Sequence, residues 1–150
     1  METRNWRQET GRIILILTFV LTGIAAYGLQ HPVASLKIEN AYVRVAAEGM
    51  MSAAYFKISN TTDIPDALYN VKADFAMMAQ LHESFRKNGM VGMKQVKFVV
   101  VPGKSSVVFK PGDYHVMLMS VKQDLKTGMR VHFRLMFKHG GQIEVEAPVK

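Results

Sequence analysis

The feature that most constrains this chain is a period of two. Across residues 130–137, Val131, Phe133, Leu135 and Phe137 fall on one side, and Arg130, His132 and Arg134 on the other. Successive side chains of a strand point to opposite faces, so this spelling describes a strand with one face in a core and one in water. Ile143, Val145 and Ala147 alternate in the same way with Glu144 and Glu146. Further strands are expected near 37–45, 52–59, 66–73, 77–85, 93–101, 106–110 and 114–120. Turn residues separate them: Asn60-Thr61-Thr62-Asp63, Asn88-Gly89, Pro102-Gly103, Pro111-Gly112-Asp113 and Gly140-Gly141. Eight or nine short strands at this spacing argue for an all-β Greek-key sandwich or barrel.

The alternation begins only at residue 36. Before it, Arg4, Arg7 and Arg12 precede an apolar run from Ile13 to Leu29, and no further charge occurs until Lys37. A basic start followed by an apolar stretch is the layout of an export signal. Small residues suited to cleavage follow at Ala26-Tyr27-Gly28 and at Val33-Ala34-Ser35, after Pro32. The alternative is a retained anchor, since seventeen residues at the helical rise span about 25 Å, close to the hydrocarbon thickness. Cleavage is the preferred reading. Either way, residues 1–35 are a signal peptide or membrane anchor, and residues 36–150 are a β-domain delivered across the inner membrane to the periplasm.

Composition narrows the chemistry. There is no cysteine, which excludes disulfides, thiolate metal sites, cysteine nucleophiles and a cysteine-linked lipid anchor. The net charge of +7 is spread over single lysines rather than clustered with aromatics, so it reads as solubility and weak steering rather than nucleic-acid binding. Neither a Ser/His/Asp arrangement nor a paired-carboxylate motif is evident, so no enzyme is expected. Methionine, with eleven copies, is the unusual residue.

Four residues stand out: His82, Met93, His115 and Met117. A hairpin turning at Asn88-Gly89 pairs positions whose numbers sum to about 177, which sets His82 opposite Met93 to within two residues. Cross-strand neighbours have Cβ atoms about 5 Å apart. His115 and Met117 are i and i+2, so they share a face while Val116 and Leu118 take the other. Leu81 likewise opposes His82. Thioether sulfur is soft and neutral and suits Cu(I), whereas it is a poor donor for zinc, calcium or magnesium. Imidazole must be neutral to bind, so affinity is expected to fall in acid. Met119 lies on the same face as a spare ligand or sheath. Met50, Met51, Met77, Met78, Met90, Met129 and Met136 are assigned to core or loop packing. His31, His132 and His139 are read as surface residues, and Glu83 as a solvated strand charge rather than an orienting partner of His82.

These residues resemble the signature of the PCu(A)C family of copper chaperones: a histidine, ten residues, a methionine, twenty-one residues, then His-x-Met. Here His82, Met93 and His115-Val116-Met117 keep each interval. Ala53-Ala54-Tyr55, Asp66-Ala67-Leu68, Leu81-His82-Glu83, the run from Lys110 to Met119 and Gly140-Gly141 are also similar to that family's recurring pieces. The likeness covers about residues 36–150. Asp113 departs from it, standing where the family often has a second glycine. The resemblance implies a cupredoxin-like fold and an exposed Cu(I) site on His82, Met93, His115 and Met117. It also implies delivery of copper to a copper-accepting partner, such as a cytochrome c oxidase subunit or a Sco-type thiol protein, during assembly of the oxidase copper centres. A blue-copper electron carrier would need a cysteine. The competing class is an envelope binding or scaffold module with no metal role.

Overall fold

Residues 36–150 are described in the computed structural model; the expected export signal or anchor lies outside the described residues. Ten strands follow one another with no helix among these residues: β1 (Leu36–Val43), β2 (Ser52–Asn60), β3 (Asp66–Ala73), β4 (Ala76–Lys87), β5 (Met90–Gln95), β6 (Val99–Val101), β7 (Ser105–Phe109), β8 (Tyr114–Val121), β9 (Arg130–Phe137) and β10 (Gly141–Pro148). One antiparallel sheet runs β1-β2-β8-β4-β5, with β7 also paired to β2, and the other runs β10-β9-β3-β6. Neighbours that are distant in sequence, such as β2 with β8 and β3 with β9, are the crossovers of a Greek-key sandwich. The all-β expectation holds.

The alternation in the sequence explains why the layers close. Val131, Phe133, Leu135 and Phe137 on β9 are at most 4% exposed, as are Leu81, Val116 and Leu118 on the facing sheet. Phe56 of one sheet stacks on Phe109 with ring centroids 4.5 Å apart and tilts against Phe133 of the other at 5.9 Å. Burying side chains of this size stabilises the fold by roughly 1.5–3 kcal/mol each before entropy is subtracted. The outer face of β9 is polar, with Arg130 ion-paired to Glu146 and Arg134 to Asp74.

Two expectations are corrected. The single strand expected over 93–101 is two strands in different sheets. β5 pairs only with β4, whereas β6 pairs with β3 across the sandwich. The reason is burial: Val99 and Val101 are 2% and 0% exposed, while β5 holds no buried residue. A run of apolar letters cannot by itself show that the chain changes layer at its middle. The second correction concerns methionine. Met50 and Met51 lie in the loop between β1 and β2, where they are exposed, and Met77, Met78 and Met90 are exposed on strands. Met90 opens β5 rather than sitting in a loop. Met129 packs partly buried against the core, as expected.

Candidate metal site

β4 and β8 lie side by side in antiparallel register, with Leu81 opposite Val116 and His82 opposite His115. Directly opposed residues share a face, so the inward pair supports the core and the two imidazoles stand together on the outer face. Their ring centroids are 5.8 Å apart at an interplanar angle of 57°. Met117 is two residues beyond His115 and lies opposite Gln80 on β4 and Ala53 on β2.

The β4–β5 hairpin supplies the fourth candidate. Asn88 (φ 52°) and Gly89 (φ 77°) both take the left-handed conformation, as a two-residue type I′ turn requires. The tight turn fixes the register: His82 opposes Gln95 and Ser84 opposes Met93. Met93 is therefore displaced from His82 by two residues along the strand and shares its face. It is 58% exposed, in contrast with His115 at 4%. A shallow cleft is lined by Met93, His115 and Met117 together with Arg44, Met51 and Tyr55. His82 joins them through its cross-strand neighbour. The four residues are thus on one face of three adjacent strands.

Hydrogen bonds orient both rings. His115 Nδ1 lies 3.0 Å from the Asp113 carbonyl oxygen. A carbonyl only accepts, so Nδ1 carries the proton and Nε2 keeps its lone pair. The Pro111-Gly112-Asp113 turn builds this contact: Gly112 is left-handed (φ 81°), Lys110 N–H donates to Tyr114 O, and the Asp113 carboxylate accepts from Tyr114 N–H. Asp113, the departure from the family pattern, thus shapes the turn whose carbonyl fixes His115. Tyr55 packs beside His115 at 6.5 Å between centroids, and Tyr42 lies on Tyr55 at 5.1 Å.

His82 is held differently. The Gln80 side-chain amide donates to Met78 sulfur at 3.0 Å, which leaves its carbonyl oxygen facing His82 Nε2 at 3.2 Å. Nε2–H is then the donor, and Nδ1 carries the lone pair. That Nδ1 is buried and has no hydrogen-bond partner. A buried acceptor without a partner costs on the order of 1–3 kcal/mol, and a bound cation would satisfy it. Burial first, and the neighbouring His115 second, push the His82 pKa below its ordinary value. The ring is therefore neutral and available to a metal at neutral pH. Among the described residues no three His, Asp or Glu side chains gather as a metal site, and the side chains that share the face of the imidazole pair include the thioethers of Met93 and Met117. Glu83 points elsewhere, in an ion pair with Lys94 at 3.0 Å. Asp113, Gln80 and Tyr55 were not assigned site roles from the sequence. Gln80 had a legible signal in sharing the period-two face of His82, and Asp113 one in standing as the departure in the turn before His115.

Fold and site define a cupredoxin-like β-sandwich with a histidine–methionine outer face. The chain belongs to the LpqE-like family, a PCuAC-type family whose model, described as "Putative lipoprotein LpqE-like", matches residues 36–149. A relative from Leifsonia xyli subsp. xyli (strain CTCB07), named "Putative lipoprotein Lxx21020", is 32% identical over 155 residues, spanning 99% of this chain and 91% of its own length. Among solved structures, the copper-bound PCuAC domain from PmoF2 is 26% identical with a TM-score of 0.66, the match covering 77% of this chain and 92% of that domain. The CuI form of DR1885 from Deinococcus radiodurans is 30% identical with a TM-score of 0.60, covering 77% and 80% respectively.

Proposed function

We propose that this protein is an exported copper chaperone that holds one Cu(I) through His82, Met93, His115 and Met117 and passes it to a partner. The observation that carries the reading is the cross-strand pair of His82 and His115, whose lone pairs are set by Gln80 and the Asp113 carbonyl, flanked by two thioethers on the same face. Two imidazoles and two thioethers form a neutral, soft donor set that favours Cu(I) over zinc. The similarity to PCuAC domains solved with copper and with CuI supports the same cargo. Uncharged thioethers bind less strongly than thiolates, so an acceptor presenting cysteines can draw the ion off by ligand exchange while copper stays Cu(I). A Sco-type thiol protein or a subunit of cytochrome c oxidase fits that chemistry. The export signal expected from residues 1–35 and the lipoprotein names of the relatives favour the cell envelope. The work of the protein on this reading is binding and release, with no bond made or broken in a substrate.

The test is an anaerobic Cu(I) titration of the whole chain in competition with a chromophoric Cu(I) chelator, run in parallel with Zn(II). One tight Cu(I) equivalent and weak zinc binding are expected. The His115→Ala, Met117→Ala double variant should lose on the order of a hundredfold or more in affinity. Unchanged binding in that variant, or no competition with the chelator by the parent protein, would overturn the reading in favour of an envelope binding module.

A further inference from the structure

The outer face of β4 and β8 carries more thioether than the four-residue site uses. Met119 is the next outward residue after Met117 on β8, and Met78 lies directly opposite it on β4. Met119 stands outside the hydrophobic core, and Met78 is 50% exposed. Cβ atoms of opposed residues are about 5 Å apart, and those of i and i+2 residues roughly 7 Å apart. The methionine side chain adds three flexible bonds. The sulfurs of Met78, Met117 and Met119 are therefore within reach of one common ion. Positions 78, 80, 82, 115, 117 and 119 include no acidic or permanently charged side chain, so the donors here are neutral and soft. Gln80 links this group to the imidazoles, since its amide donates to Met78 sulfur while its carbonyl accepts from His82.

We infer that Met78, Met117 and Met119 form a second, weaker Cu(I) position made only of thioethers, adjoining the histidine pair and sharing Met117 with it. An ion held there reaches the tighter site by exchanging the Met78 and Met119 sulfurs for the two imidazoles, with Met117 bound throughout. Copper stays Cu(I) and no proton moves. The role as a staging position rests on the proposed His/Met site; the existence of the thioether position does not.

The experiment uses the full chain with 13C-labelled methionine methyl groups, titrated anaerobically with Cu(I) supplied as its acetonitrile complex. The His82→Ala variant weakens the main site without touching the core. In it, the Met78, Met117 and Met119 methyl signals should shift together, with binding weaker than in the parent by on the order of tenfold or more. The partly buried Met129 methyl reports that the fold is intact. Adding Met78→Leu and Met119→Leu should abolish this residual binding. In the parent background Met119→Leu, which touches neither histidine nor the Gln80 amide, should leave the tight equivalent unchanged. Met78 and Met119 signals that stay still while Met117 moves would overturn the proposal, as would residual binding that survives both leucines. Shifts at Met78 and Met119 in a parent protein that shows no tight site would sink the His/Met reading and leave the thioether position standing.

Discussion

The two sheets of the sandwich obey one rule inside, and outside they differ at the patch around the two histidines, although β1 and β2 of that sheet also carry ion pairs of Glu39 with Lys37 and Lys57. Inward, Leu135 of β9 and Leu118 of β8 are both fully buried. Outward, the β10–β9–β3 face spends its positions on charge, with Arg130 paired to Glu146 and Arg134 held to Asp74 by hydrogen bonds of 2.8 and 2.9 Å. The β8–β4–β5 face offers imidazoles, thioethers and an amide instead. A charged face is satisfied by water and by its own ion pairs and asks for nothing further. A face whose donors are soft and neutral, with Arg44 beside them rather than an acidic partner and with an unpartnered buried imidazole nitrogen among them, has donors to spare. The difference shows where a partner ion is accommodated, although both sheets fold by the same burial.

That contrast can be broken at several strengths. The largest effects should be blind to it: Leu118→Ala and Leu135→Ala should each lower unfolding free energy by about 2–5 kcal/mol in urea denaturation. A loss well under 1 kcal/mol for Leu118 alone would mean that the site sheet is not packed as its burial indicates. On the outer faces the sheets should part company. Gln80→Leu removes the acceptor that orients His82, and Cu(I) affinity should drop by about 10–100-fold with little change in stability. Arg134→Ala should leave Cu(I) binding alone and cost less than about 1 kcal/mol. Equal copper affinities for the two variants would erase the distinction.

A smaller effect concerns the hairpin that carries Met93. Gly89→Ala forces a side chain into a left-handed position and should cost about 1–2 kcal/mol. Its signature should be selective broadening of β5 amide signals, with β9 unaffected. The smallest effect is on pH. Because the folded pKa of His82 lies below its ordinary value, the unfolded chain takes up a proton first as pH falls. The apo protein should therefore lose stability from just above pH 6.5 (about the unperturbed histidine value) down through the folded pKa, and regain it above. Comparing urea midpoints at several pH values for the parent and His82→Gln should show the steeper slope in the parent. Superimposable slopes would remove His82 as the source.

Strand identity was legible because it is local. Val131 to Phe137, Ile143 to Ala147 and the His115/Met117 pair each declare a face within a few residues, and a strand has only two faces to choose between. The Asn88-Gly89 turn likewise carries its own register, and the observed partners His82 with Gln95 and Ser84 with Met93 sum to the expected 177. The soft donor chemistry was legible too, since it follows from side-chain type. The run over 93–101 was misread because layer changes depend on which distant surface is free to receive Val99 and Val101. The exposed strand methionines were misread because a flexible apolar side chain suits a core or a surface equally well.

The sequence by itself determined the strands other than the 93–101 run, their inward faces, the hairpin register and a donor set suited to Cu(I). Only the tertiary structure decided that β4 and β8 are neighbours, that His82 therefore meets His115, and that Gln80 and the Asp113 carbonyl choose which nitrogen of each ring stays free. The last of these is a contact between residues two apart; the first two rest on pairing between segments more than thirty residues apart, where backbone hydrogen bonds are satisfied equally well by any strand. The choice among strands falls to the packing of the whole core.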